Sequence, residues 1–206
     1  MAVTTLDQRM LGLGTTLTDH TIVAGDIISF ADAGASNVIK RDTVQGVLDL
    51  VSAGFTQTAE VATTSGTSVA ITGIASGVKL IIVMLNNVSS ASGGDFKLQM
   101  GTAGGLETSS YDTKGLDIQS STGTHTDATD GWLIEEQTGG GCSFTGQIFL
   151  TLQDASTNHW VGTGNFQNGI SYGFTGGDKA LSAELTQLAL LSASTFDAGT
   201  INVLYQ

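Results

Sequence analysis

The residues of this chain best suited to chemistry crowd into one stretch, 102–141. Its run "HTDATDG" at 125–131 sets the imidazole of His125 beside the carboxylates of Asp127 and Asp130. Calcium sites use Asp at short spacing followed by Gly, but this run does not fit the EF-hand loop and no second acidic cluster accompanies it. No metal or cofactor is assigned. Glu135 and Glu136 are adjacent; in a strand they point to opposite faces and cannot alone form a glycosidase pair. The one Gly-x-Ser-x-Gly match, "GISYG" at 169–173, falls in a segment that alternates as a strand and does not open a helix as a nucleophile elbow must, and His20, His125 and His159 stand in no triad-like setting. The single cysteine, Cys142, excludes an internal disulfide and a zinc cluster. No catalytic residue is assigned, and the chain is expected not to be an enzyme. What the stretch does offer is a recognition inventory. Tyr111, Asp112, His125, Asp127, Asp130 and Trp132 combine aromatic platforms with groups that hydrogen-bond sugar hydroxyls, so they are the receptor- or glycan-binding candidates. Trp132 can equally serve as the anchor that tucks the stretch onto the body of the protein.

The elements that must position these residues read as strands. From about residue 56, alternating segments fall near 67–74, 78–88, 95–101, 143–153, 158–166, 169–175, 179–191 and 196–205, separated by Gly, Ser, Thr, Asn and Asp clusters. Phe144, Ile148, Leu150 and Leu152 share a face; Trp160 and Phe166 share the next and read as core. Ile170, Tyr172 and Phe174 share another. Leu181 and Leu185 fall out of register with Leu188 and Leu190, which suggests a bulge. Ile201, Val203 and Tyr205 alternate in the last segment. "VKLIIVML" is apolar on both faces, as in a central strand or one covered by another subunit. About eight strands without intervening helices predict an antiparallel β-sandwich, most simply a jelly roll. Residues 102–141 then form a long insertion, because loops beyond about 15 residues are uncommon in compact domains and often functional; "GWLIEEQ" is a strand candidate within it.

The first 54 residues differ. "DIISFAD" and "NVIKRD" read as two short strands joined by "AGAS". A helix follows in "DTVQGVLDLVS", with Asp42 as N-cap, Gln45 completing a capping box, and Val44, Val47, Leu48 and Val51 at helical spacing. So small a strand-strand-helix module cannot bury enough surface alone and needs copies of itself or a partner. The expected organisation is a module at 1–54 and a jelly roll at 55–206.

A net charge of -12 and a pI near 4.2 argue against nucleic acid and against anionic membranes. Lys79, Lys97, Lys114 and Lys179 are too far apart in sequence to form a basic run. "MAVTTLDQRMLGLG" lacks the pattern of a signal peptide, and "LIIVML" falls far short of the roughly 20 residues that cross a bilayer. The chain has 28 glycines and no proline; turns are therefore expected from Gly, Asn and Asp.

Two groups of segments resemble a family of bacteriophage virion proteins, the tail fibres and related head fibres. "VAGDIISFADAGASNVIKRDTVQGVL" is similar to the attachment module that begins many phage fibres. "TTSGTSVAITGIASGVKLIIVMLNNVS", "LTLQDASTNHWVGTGNF", "FTGGDKALSAELTQLAL" and "TFDAGTINVLYQ" resemble the C-terminal jelly roll of phage and prophage fibre proteins. The departures are the missing prolines, as in "IASG", and the acidic stretch at 102–141. The resemblance implies a homotrimer in a virion, assembled in the host cytoplasm. Its N-terminal module would bind other virion proteins, with Asp26, Ile28, Phe30, Lys40, Arg41, Val44 and Leu48 as attachment candidates. The jelly roll would face outward to a host-surface glycan or protein. The rival reading is a capsid decoration or cement protein, or a head fibre, that stabilises the shell. A glycan-degrading spike would need clustered carboxylates, and no convincing pair is present.

Overall fold

The computed structural model describes residues 27–32, 38–43, 54–119, 122–135 and 143–206. The chain divides into two compact units, Met1–Ala53 and Gly54–Gln206. In the first, β1 (Ile27–Asp32) and β2 (Val38–Thr43) pair antiparallel, with Ile28 opposite Asp42, Ser29 opposite Arg41 and Phe30 opposite Lys40. Asp42 is thus a strand residue and not a helix N-cap: the ladder continues through it to the β-branched Thr43, opposite Ile27. The remainder of the expected helix, with Val44 and Leu48, lies outside the described residues, as does Asp26.

The second unit is an antiparallel β-sandwich, with no helix among the described residues. Its strands are β3 (Thr56–Gln57), β4 (Val61–Ala62), β5 (Ser68–Thr72), β6 (Leu80–Ser90), β7 (Phe96–Thr102), β8 (Gly105–Leu106) and β9 (Tyr111–Gln119). These are followed by β10 (Thr122–Ala128), β11 (Trp132–Glu135), β12 (Phe144–Asp154), β13 (His159–Gln167), β14 (Ser171–Ala180), β15 (Gln187–Ser192) and β16 (Phe196–Tyr205). The larger sheet runs β10-β9-β14-β13-β12-β6-β16-β3, with β4 also on β16; the smaller runs β11-β7-β15-β5, with β8 on β7. This is a jelly-roll route in which the meander β12–β13–β14 fills the place of a single strand between β6 and β9.

That route corrects three expectations. Residues 102–141 are not an inserted loop: β9 is an interior strand of the larger sheet, and β11 is the edge strand of the smaller one. Alternation was present there, but the buried face of β9 carries Tyr111, Thr113 and Gly115, too polar and too small to register as apolar periodicity. The strand count exceeds eight for the same reason, and because β3, β4 and β8 are only two residues long. Finally, the register break after Leu185 is not a bulge. β14 ends at Ala180 and β15 begins at Gln187, and the segment between them carries the chain from one sheet to the other with Leu181 and Leu185 buried.

The core lies between the sheets. Phe96 packs on Phe144 at 4.9 Å and on Phe196 at 5.9 Å between ring centroids, both tilted. Ile81, Val83 and Leu85 of β6 point inward, whereas Leu80, Ile82 and Met84 are half-buried on the outer face. "LIIVML" is apolar on both faces because it is the central strand between β12 and β16. Its partner Ile201–Val203–Tyr205 closes that side. At the other end β11 lies close against the larger sheet, and glycine permits it. A Cβ on Gly115 would fall 2.9 Å from Leu133 Cδ2, and one on Gly162 would fall 3.2 Å from Trp132 Cη2. Thr113 secures the approach, since its hydroxyl donates to Gly131 O at 3.0 Å and accepts from Leu133 N at 3.2 Å.

Candidate functional site

The six recognition candidates are separated by the fold. Tyr111 is 2% exposed and Trp132 is fully buried. The Tyr111 hydroxyl accepts from Met100 N at 2.8 Å and donates to Glu107 O at 2.9 Å. Burial, which disfavours the phenolate, is the largest cause pushing its pKa up to about 12. Both aromatics are therefore anchors, and neither can present a platform to a ligand. Asp112 and Asp127 remain exposed and flank Lys114 at 4.0 and 3.1 Å. His125 stands on the same outer face, opposite Leu116. Asp130 sits in the turn before β11 and accepts from Lys97 Nζ at 3.0 Å. Burial lowers the Lys97 pKa, but the Asp130 bond and charge, with Asp95 nearby, hold it above its ordinary value.

Beneath this surface lies the one strongly buried ion pair that the described residues show. Lys179 Nζ meets Glu107 Oε2 at 2.6 Å, with the side chains 4% and 19% exposed, and the ammonium lies 5.2 Å from the Tyr111 ring centroid. Ser182 N donates to the other Glu107 oxygen at 2.7 Å. Burial alone would raise the Glu107 pKa; the bonds from Lys179 and Ser182 outweigh it and hold the carboxyl below its usual range. The group ties the chain after β8 to β14 and is structural.

The exposed aromatic surface is elsewhere, on the outer face of β14. Tyr172 is 67% exposed, Phe174 47% and Ile170, in the turn before them, 62%. Alternation in this segment was legible in sequence, but its aromatic face turns to solvent. The inward positions hold Ser171, Gly173 and Thr175, and Thr175 Oγ1 donates to Leu133 O of β11. Across the ladder, Tyr172 faces Ile118 and Phe174 faces Leu116 on β9. On the other side they face Gln167 and Asn165 of β13, and Asn165 in turn faces Gln147 of β12.

These side chains enclose a groove of about 380 Å³ lined by Thr145, Gln147, Asn165, Gln167, Tyr172 and Phe174. Gly146, Phe166 and Gly173 form one register row between its walls. The lining holds no charged residue. The amides of Gln147, Asn165 and Gln167 stand along it opposite the two rings. Exposed rings thus stand beside amides on one sheet face. The sequence signal that could have found it was the run of small residues on the opposite face of β14.

Among the described residues no group of three or more His, Cys, Asp or Glu is placed to hold a metal ion. His159 instead pairs with Asp178 at 2.8 Å; His20, Glu136 and Cys142 lie outside the described residues. No family model, curated protein or solved structure matches the chain.

Proposed function

We propose that the chain is a non-enzymatic virion protein, a short trimeric fibre whose β-sandwich adheres to a host-cell surface. The observation that carries this reading is the groove between Tyr172, Phe174 and the amides of β12 and β13, an exposed aromatic site on a rigid sheet face. In this reading the module at residues 1–54 joins the fibre to other virion proteins, with Ile28, Phe30, Lys40 and Arg41 on its paired strands. Trimerisation multiplies weak contacts: three linked sites raise avidity by orders of magnitude without any new interaction. The acidic balance fits adhesion through uncharged contacts rather than attraction to phosphate.

The test is adsorption of the fluorescent full chain to a panel of bacterial cells, together with gold-labelled antibody to residues 54–206 on phage particles. Cell binding with label at a tail tip supports the fibre. A second reading, a decoration protein of the capsid, draws on the half-buried Ile82 and Met84 and the exposed Phe149, apolar positions on the outer face that a neighbouring subunit would cover. Label over the head, with no cell binding, favours it. Particles without label refute both.

A further inference from the structure

We infer that the β12–β13–β14 groove is a subsite for a neutral saccharide, contacted by the rings of Tyr172 and Phe174 and held by the amides of Gln147, Asn165 and Gln167. The inference rests on the adhesive reading above and names its ligand class.

Four observations converge. First, the two rings stand on one face two residues apart, about 7 Å along the strand, so that a single sugar or disaccharide can touch both. Sugar C–H faces are apolar and weakly positive, and they suit the negative face of an aromatic ring. Second, each amide offers both a carbonyl acceptor and an NH₂ donor. Vicinal hydroxyls have the same dual character, so amides satisfy them without imposing charge. The three amides line the groove beside the two rings, so a bound hydroxyl exchanges their hydrogen bonds to water for bonds to the ligand. Third, the groove lining is uncharged, and the carboxylates and ammonium group that β9 and β10 carry are Asp112, Asp117 and Asp127 with the single Lys114. A sialic acid, uronic acid or phosphate finds no cation in the groove and meets a chain of net charge -12. Fourth, the groove volume falls in the range of small-molecule sites, roughly 300–1,000 Å³. A protein partner would need about 800 Å² of surface on each side, and flat apolar contact would leave these amides unsatisfied.

The experiment applies the full chain to an array of neutral oligosaccharides of glucose, galactose, mannose and N-acetylglucosamine beside sialylated and uronic-acid glycans. Hits are then measured by titration calorimetry. Neutral glycans alone are expected to bind. Tyr172→Ala and Asn165→Ala should each weaken binding by roughly tenfold, the equivalent of one lost stacking or hydrogen-bond contact; Tyr172→Phe should retain it. Melting temperatures should stay unchanged, since both residues are exposed. Binding restricted to anionic glycans, or neutral binding indifferent to Tyr172→Ala, overturns the inference. So does dissociation of an oligomer by Tyr172→Ala, which would show that a second copy covers the face. Cell adsorption that no neutral sugar inhibits defeats the saccharide assignment while leaving adhesion standing. Neutral-glycan binding without cell adsorption has the reverse meaning.

Discussion

Replacing Glu107 by Gln should destabilise the sandwich without touching the groove. The change leaves the Lys179 ammonium, 4% exposed, without its counter-charge. Removing one partner of a buried pair costs about 3–5 kcal/mol. Two features reduce that here: Glu107 keeps 19% exposure, and the Gln carbonyl can still accept from Ser182 N or Lys179. The expected loss is therefore about 2–3 kcal/mol. For a unit of this size each kcal/mol lowers the melting temperature by about 2–4 °C, so the fall should be about 4–12 °C. Urea denaturation followed by fluorescence suits the measurement, because Trp132 and Trp160 are both buried. Lys179→Met and the double variant complete a thermodynamic cycle whose coupling should exceed about 1 kcal/mol. A Glu107→Gln loss below about 0.5 kcal/mol, with coupling indistinguishable from zero, would refute the reasoning and place the pair among surface bridges of no consequence.

The same pair sets an acid limit. Because the folded pKa of Glu107 lies below its ordinary 4.5, its stabilisation is present above that value and is lost as pH falls through the folded pKa. Wild type should lose stability below about pH 4.5 more steeply than Glu107→Gln, as urea midpoints across acidic buffers will show. Tyr111, raised to about 12, contributes stability fully below the ordinary 10 and loses it as pH rises toward 12. Tyr111→Phe should remove that alkaline component, which phenolate absorbance against pH will follow. Gly164→Ala would set a methyl 2.7 Å from Gln147 O and 3.0 Å from Ile148 and Thr175, and should cost about 1–3 kcal/mol by overpacking, measured as a lower urea midpoint. Trp132→Ala, which empties the contact between β11 and the larger sheet, should cost about 3–5 kcal/mol, a loss that thermal unfolding will register.

Sequence patterning determined the class of fold. Strict alternation in Phe144–Ile148–Leu150 and Ile201–Val203–Tyr205 commits those segments to one buried face, and all of these side chains lie in the core. The two-sided apolarity of "LIIVML" left two readings open, a central strand or one covered by another subunit, and β6 does lie between β12 and β16. Period two states which residues share a face, but not which face meets the core. Where one face of a strand is aromatic and the other small, hydrophobicity alone assigns the aromatics inward. At β14 that assignment fails: the inward face carries Ser171, Gly173 and Thr175, and Thr175 Oγ1 donates to Leu133 O of β11. Tyr172 and Phe174 are thereby turned to solvent. The reverse holds at β9, where Tyr111 is buried and its hydroxyl is satisfied by Met100 N and Glu107 O, backbone groups that hydrophobic patterning does not register. The candidate site joins side chains from β12, β13 and β14 in one register. The strand segments were written in the sequence; the pairing that brings Gln147, Asn165 and Phe174 into one row was decided by the sheet, because register is a contact between strands and not a property of any one of them.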